Sequence, residues 1–140
     1  MSTNSSISLM NILTIFLLLT TCMSKKHIKI DITDRLPSGN PSLRLHCKSK
    51  DDDLGFHTLG LNQVYEWRFN MNFWLTTLYW CNFWWDGKYA QFNVFDDKIW
   101  GTVGEKNVYS YVVRPDGFYL RICDFDTHTF VWKHVNNWGN

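Results

Sequence analysis

The sequence predicts an all-β fold, a small antiparallel sandwich or barrel of about eight strands. Three observations carry this. Apolar and polar residues alternate with period two in one segment after another. Turn residues break the alternation at regular spacing, at Pro37-Ser38-Gly39-Asn40-Pro41, Asp86-Gly87 and Pro115-Asp116-Gly117. No segment sustains a helical repeat.

Taken in order, residues 26–34 (KHIKIDITD) set Ile28, Ile30 and Ile32 on one face and Lys29 and Asp31 on the other. Residues 42–49 oppose Leu43, Leu45 and Cys47 to Arg44, His46 and Lys48, and the acidic run with Gly55 is read as the end of that strand. Residues 64–71 place Tyr65, Trp67 and Phe69 opposite Glu66 and Arg68. Residues 76–85 are aromatic on both faces, as a central strand requires. Asp86-Gly87 turns the chain into 88–96, with Ala90, Phe92 and Val94 inward. A Gly-containing connection (97–106) leads to strands at 107–114, 118–125 and 129–135.

The 140 residues are enough for one domain. The first 24 are uncharged, and their apolar run Ile12–Leu19 ends in small residues. The pattern predicts a secretory signal peptide over 1–24, cut after Ser24, and a domain over 25–140. The run is shorter than the roughly 20 residues of a membrane span, so no integral segment is expected after removal. The domain keeps a charge of +1, which lacks the basic bias of a nucleic-acid binder. Eight Trp, six Tyr and nine of the ten Phe lie in it and supply its core.

Cys47, Cys81 and Cys123 remain after the leader. An oxidising compartment predicts one bridge and one thiol. Cys47 and Cys81 fall on inward phases, whereas Cys123 is out of phase with Phe118, Leu120 and Ile122. Parity therefore pairs Cys47 with Cys81.

HCKSKDDDLG (46–55), NQVYEWRFNMNFWLTTLYWCNFWW (62–85) and VVRPDGFYL (112–120) resemble the plant self-incompatibility S1 family, the S-protein homologues. The resemblance runs from about Lys26 to the end of the chain. It implies a small secreted plant β-sandwich with disulfides and no enzymatic activity. It implies an extracellular ligand, in the founding case one secreted by the stigma, recognised by a receptor on incompatible pollen and coupled to calcium-linked growth arrest. Two departures stand out. Many members carry a further cysteine pair near the stretch that here reads Gly104-Glu105-Lys106-Asn107-Val108. Cys123 also lies a few residues beyond the usual position, so the family's disulfide pattern is not carried over intact.

No catalytic residue, cofactor or metal site is expected. Asp51, Asp52 and Asp53 on an extended chain point in alternating directions and lack EF-hand spacing. His46 and Cys47 are strand neighbours facing opposite ways. No nucleophile elbow, zinc-helix or phosphate-loop motif is present. The candidate receptor-contact residues are Lys50, Asp51, Asp52 and Asp53 in one loop, and Asp97, Lys98, Trp100, Glu105 and Lys106 in another. The partner is then a cell-surface receptor, and the protein a monomer. The alternative is a carbohydrate or cell-wall module with Trp80, Trp84 and Trp100 as a platform. Dense apolar neighbours favour a core role for Trp80 and Trp84, with Trp100 as the exception.

Overall fold

The computed structural model describes residues 11–14, 27–39, 41–72, 74–99 and 107–139. The expected cut after Ser24 lies outside them.

Nine strands are formed by the described residues: β1 (His27–Asp34), β2 (Leu43–Lys48), β3 (Asp53–Leu59), β4 (Val64–Asn70), β5 (Tyr79–Trp85), β6 (Lys88–Phe95), β7 (Val108–Arg114), β8 (Gly117–Asp124) and β9 (Thr129–Asn136). They build two sheets. Sheet A has the order β4-β1-β7-β8-β9, and sheet B the order β3-β2-β5-β6. Their inner faces close on one core of Ile30, Ile32, Leu43, Leu45, Phe83, Val94, Phe118 and their neighbours. The architecture is a sandwich, as the resemblance implies.

The alternating segments take the faces that their pattern dictates. Ile28, Ile30 and Ile32 are buried, and Leu43, Leu45 and Cys47 follow the same rule on β2. Rings dominate the interface between the sheets. Phe118 of β8 lies 4.8 Å from Phe83 and 4.9 Å from Phe92, measured between centroids. Tyr111 Oη of β7 donates a 2.6 Å hydrogen bond across the sandwich to the Val94 carbonyl of β6. Burial holds the Tyr111 phenol strongly protonated. Trp138 closes one end, its Nε1 donating to the Arg114 carbonyl at 2.9 Å.

Four features depart from the expectation. First, the chain does not leave the sheet at the acidic run. Asp53 opens β3, and Gly55 lies inside it with φ +77°, a left-handed value that glycine tolerates at little steric cost. The alternation of DLGFHTL is weak because most of β3 is partly exposed, so the usual apolar signal is missing. Second, β1 pairs with β7 in parallel, from Lys29 opposite Val108 to Asp34 opposite Val113, so sheet A is mixed. Third, β5 starts at Tyr79, and residues 76–78 belong to the connection before it. Fourth, β9, the outer strand of the five-stranded sheet, buries almost nothing: Phe130, Val131, Trp132 and Val135 are all exposed.

Cys47 and Cys81 are cross-strand neighbours on the two middle strands of sheet B. They are joined by a disulfide with a Cα separation of 4.1 Å. Cys123 is a free thiol opposite Phe130 on the other face of sheet A.

Candidate functional site

Strand directions gather several connections at one end of the sandwich. Lys48 ends β2 beside Trp80 near the start of β5, and Phe95 ends β6 beside Tyr79. Asn70 ends β4 beside His27, and Val108 starts β7 nearby in sheet A. Phe69 touches both Tyr79 and Phe95, at 4.5 and 5.0 Å, so these sheet ends coincide. The turn at 49–52, the loop at 71–78 and the connection after β6 therefore share this end. The 71–78 loop at this end was not predicted from the sequence as part of the site.

Between the first two lies a cleft of about 760 Å³. Lys50, Asp51 and Asp52 stand on one side, and Arg68, Asn72 and Thr77 on the other. Trp67, Phe69, Tyr79 and Trp80 supply its aromatic lining.

Each wall is held locally. In the turn, the Ser49 amide donates to the Asp52 carbonyl at 2.8 Å, and the Asp52 amide donates to Ser49 Oγ at 3.0 Å. This is the side-chain mimic of a backbone turn that serine favours. In the 71–78 loop, Asn72 is the clamp. Its Nδ2 donates to Thr76 Oγ1, its Oδ1 accepts the Thr76 amide and its own amide donates to Thr77 Oγ1, each at 2.9 Å. Leu75 is consequently held at φ +57°. The loop presents Trp74, 78% exposed, outward.

The lining is chemically uneven. Tyr79 Oη reaches Asp52 Oδ2 at 3.5 Å, and burial is the main cause pushing its phenol above the ordinary tyrosine range. Trp67 is 8% exposed, and its Nε1 has no hydrogen-bond partner among the described residues. A buried donor in that state costs on the order of 1–3 kcal/mol. Among the described residues, no cluster of His, Cys, Asp or Glu is placed to hold a metal ion.

The sequence-predicted residues are distributed as follows. Lys50, Asp51 and Asp52 are exposed in the turn and line the cleft. Asp53 belongs to β3 instead, a correction to its placement in the loop. Its Oδ1 accepts the Gly55 amide at 2.9 Å and pairs with His46 Nε2 at 2.5 Å. The His46 bond, then the Gly55 amide, hold its carboxyl below the ordinary range. His46 faces Asp53 while Cys47 is sealed in its disulfide, so the two do not meet. Asp97 and Lys98 are exposed in a turn where Asp96 Oδ1 accepts the Lys98 and Ile99 amides at 2.9 and 2.8 Å. Trp100, Glu105 and Lys106 lie outside the described residues.

Trp80 and Trp84 correct the expectation of a core role. Both are only partly buried, on the outer face of sheet B. Lys48 Nζ sits 5.8 Å from the Trp80 ring centroid, and the Arg44 guanidinium 4.3 Å from Phe56 and 5.8 Å from Trp84. These stacks cover the rings with cation stems.

The sequence reading missed Trp67, Asn72, Trp74 and Tyr79 as site residues. Trp67 and Tyr79 share the apolar phase of their strands and belong to the buried core, so nothing in the sequence distinguishes them. Trp74 carried a usable signal, a large ring in Asn72-Phe73-Trp74-Leu75, outside any alternating segment.

Among the described residues, no helix is long and apolar enough to cross a membrane. Residues 29–138 match the family described as plant self-incompatibility protein S1. S-protein homolog 5 of Arabidopsis thaliana is 38% identical over 79 residues, covering 56% of this chain and 60% of its own, less than two thirds of that relative. S-protein homolog 18 of the same plant is 34% identical over 106 residues, covering 76% of this chain and 78% of its own. A solved structure is similar at a TM-score of 0.61 and 17% identity, over 84% of this chain and 99% of the other. It is described as one of the SPH (self-incompatibility protein homologue) proteins, a widespread family of small, highly stable, secreted proteins from plants. The sandwich is thus the fold of that neighbour, and the match over residues 29–138 places this chain in the plant self-incompatibility S1 family.

Proposed function

We propose that this protein is a secreted, non-enzymatic recognition ligand, read outside the cell by a cell-surface receptor in the manner of self-pollen rejection. In this reading residues 1–24 are removed during export, the domain over 25–140 acts as a monomer, and no cofactor takes part. The observation that carries the reading is the convergence of connections at one end of a disulfide-braced sandwich. There the charged turn Lys50-Asp51-Asp52 shares a cleft with Asn72 and Thr77 of the loop that carries the exposed Trp74. A large aromatic ring rimmed by charges is the usual composition of a binding hot spot, and loops on a rigid scaffold are its usual location. Asp97 and Lys98 are assigned to the same contact, and Trp100, Glu105 and Lys106, which lie outside the described residues, are kept as contact candidates from the sequence alone.

The test is saturable binding of labelled mature protein to living cells from plant reproductive tissue. Trp74→Ala combined with Lys50→Ala is expected to weaken binding at least tenfold, about 1.4 kcal/mol, with an unchanged melting temperature. Undiminished binding by a folded double variant refutes the assignment of this end.

A further inference from the structure

The outer face of sheet B has no part in the receptor reading, and its composition is unusual. The solvent side of a sandwich sheet is ordinarily polar. Here rings and cations interleave across the strands. Arg44 lies opposite Trp84, which lies opposite Tyr89, and Lys48 lies opposite Trp80. Asn82 and Gln91 form a pair between these two rows. We infer that this face binds a polyuronate, an acidic polysaccharide, with Arg44 and Lys48 holding its carboxylates and its sugar rings laid against Tyr89 and Phe56. This goes beyond the receptor reading and does not depend on it.

The face offers donors whose own acceptors are already spent. Tyr89 Oη donates to Asn82 Oδ1 at 2.5 Å and lies 3.5 Å from Gln91 Oε1. Both amide oxygens turn to that hydroxyl, and their NH2 groups have no partner among the described residues. Asp53, the carboxylate opposite Lys48, is taken by His46 Nε2 and the Gly55 amide. Neither Arg44 nor Lys48 has a carboxylate within ion-pair distance among the described residues. What is left is a guanidinium, an ammonium and two amide NH2 groups, all of them donors. Their complement is rich in acceptors and negatively charged.

Arg44 is also held in place. Its guanidinium lies against the Phe56 and Trp84 rings, at 4.3 and 5.8 Å from their centroids, while the residue stays exposed. A planar fork fixed by stacking receives a carboxylate through two parallel hydrogen bonds with little further ordering. Beside it is a hollow of about 300 Å³, lined by Trp84, Trp85 and Tyr89 with Arg44, Lys88 and Asp86, two cations to one carboxylate. Tyr89 is 40% exposed and Phe56 55%, so both offer apolar ring surface to the C–H faces of a sugar.

The spacing asks for a polymer. Arg44 and Lys48 stand about 13 Å apart along β2, at a strand rise of roughly 3.3 Å per residue. One carboxylate cannot meet both, whereas a chain with a carboxylate on each sugar can. An acidic peptide fits less well. The backbones of β2 and β5 are paired on both sides, so a peptide cannot dock on them as an added strand.

The test is calorimetric titration of the mature, disulfide-intact protein in calcium-free buffer. The probes are a galacturonan oligomer long enough to span Arg44 and Lys48, its methyl ester, and polyglutamate. Saturable binding of the free acid, at least tenfold weaker binding of the ester and of polyglutamate, and at least tenfold weaker binding by Arg44→Gln support the site. Lys48→Gln is expected to weaken binding severalfold. Should Arg44→Gln fail to fold, Lys48→Gln and the ester decide the matter. The inference is overturned if the free acid shows no saturable binding at about 1 mM, if acid and ester bind equally, or if the folded variants bind as the wild type does. Polyglutamate binding as tightly as the galacturonan also overturns it, and makes the face a docking site for an acidic protein segment.

Discussion

Removing the Cys47–Cys81 bridge gives the sharpest measure of what holds this sandwich together. The two cysteines are 34 residues apart, and the closed loop contains β3, β4 and the cleft-lining connection. In the chain-entropy account, a loop of that length restricts the unfolded chain by about 12–13 cal/mol/K, or about 4 kcal/mol at 25 °C. Both positions are fully buried, so Cys47→Ala with Cys81→Ala also leaves a small void, on the order of 1 kcal/mol more. A total near 5 kcal/mol is a large share of the ~5–15 kcal/mol stability of an ordinary domain. The assay is urea unfolding, with stopped-flow kinetics on both limbs. An effect exerted through the unfolded chain slows refolding, while the void mainly speeds unfolding. The variant should therefore lose most of its stability through a slower folding limb. A loss below about 1 kcal/mol, or one confined to the unfolding limb, refutes the reasoning.

Two further outcomes are expected. Tyr111→Phe removes the donor that satisfies the buried Val94 carbonyl, and should cost about 1–3 kcal/mol in chemical unfolding; a cost under a few tenths means water replaces the hydroxyl. The pH profile should have two phases. Burial raises the carboxyls of Asp31 and Asp34, so stability increases as pH falls through their elevated folded values. Asp53, Glu66, Asp116 and Asp124 are lowered, chiefly by His46, by Lys29, by the Tyr119 hydroxyl and by the Asp126 amide respectively. Their contribution is complete above the ordinary carboxylate value near 4 and is lost as pH falls through their lowered values. Melting temperature from pH 7 to pH 2 should thus rise slightly and then fall, and Asp53→Asn should flatten the fall. A steady rise down to pH 2 contradicts the assignment.

Much of the sandwich was legible because burial in a sheet has period two. Ile28, Ile30 and Ile32 on β1, and Leu43, Leu45 and Cys47 on β2, announce their faces without further information. That signal fades wherever a strand is half exposed. β3 escaped for this reason, and Gly55 was read as a terminus although it serves as a bend inside the strand. The parallel pairing of β1 with β7 leaves no local trace, since it joins segments far apart in the chain. Nor does periodicity separate an outer aromatic face from a core, which is why Trp80 and Trp84 were assigned inward. Of the candidate site, Lys50, Asp51 and Asp52 were visible as a charged turn. The cleft was not, because Trp67 and Tyr79 come together only when the two sheets close.

The placement of β1 bears on how the chain is made. It is the first strand to emerge, yet it sits between β4 and β7, and its Asp31 meets Ser110 across 79 residues. Strands β2, β3, β5 and β6 find their partners within a much shorter stretch. Sheet B can therefore assemble while the remainder is still being synthesised, whereas β1 keeps one long edge open until β7 arrives. A chain built this way completes its fold only near the end of translation, and until then the alternating isoleucines of β1 are the segment most in need of a chaperone.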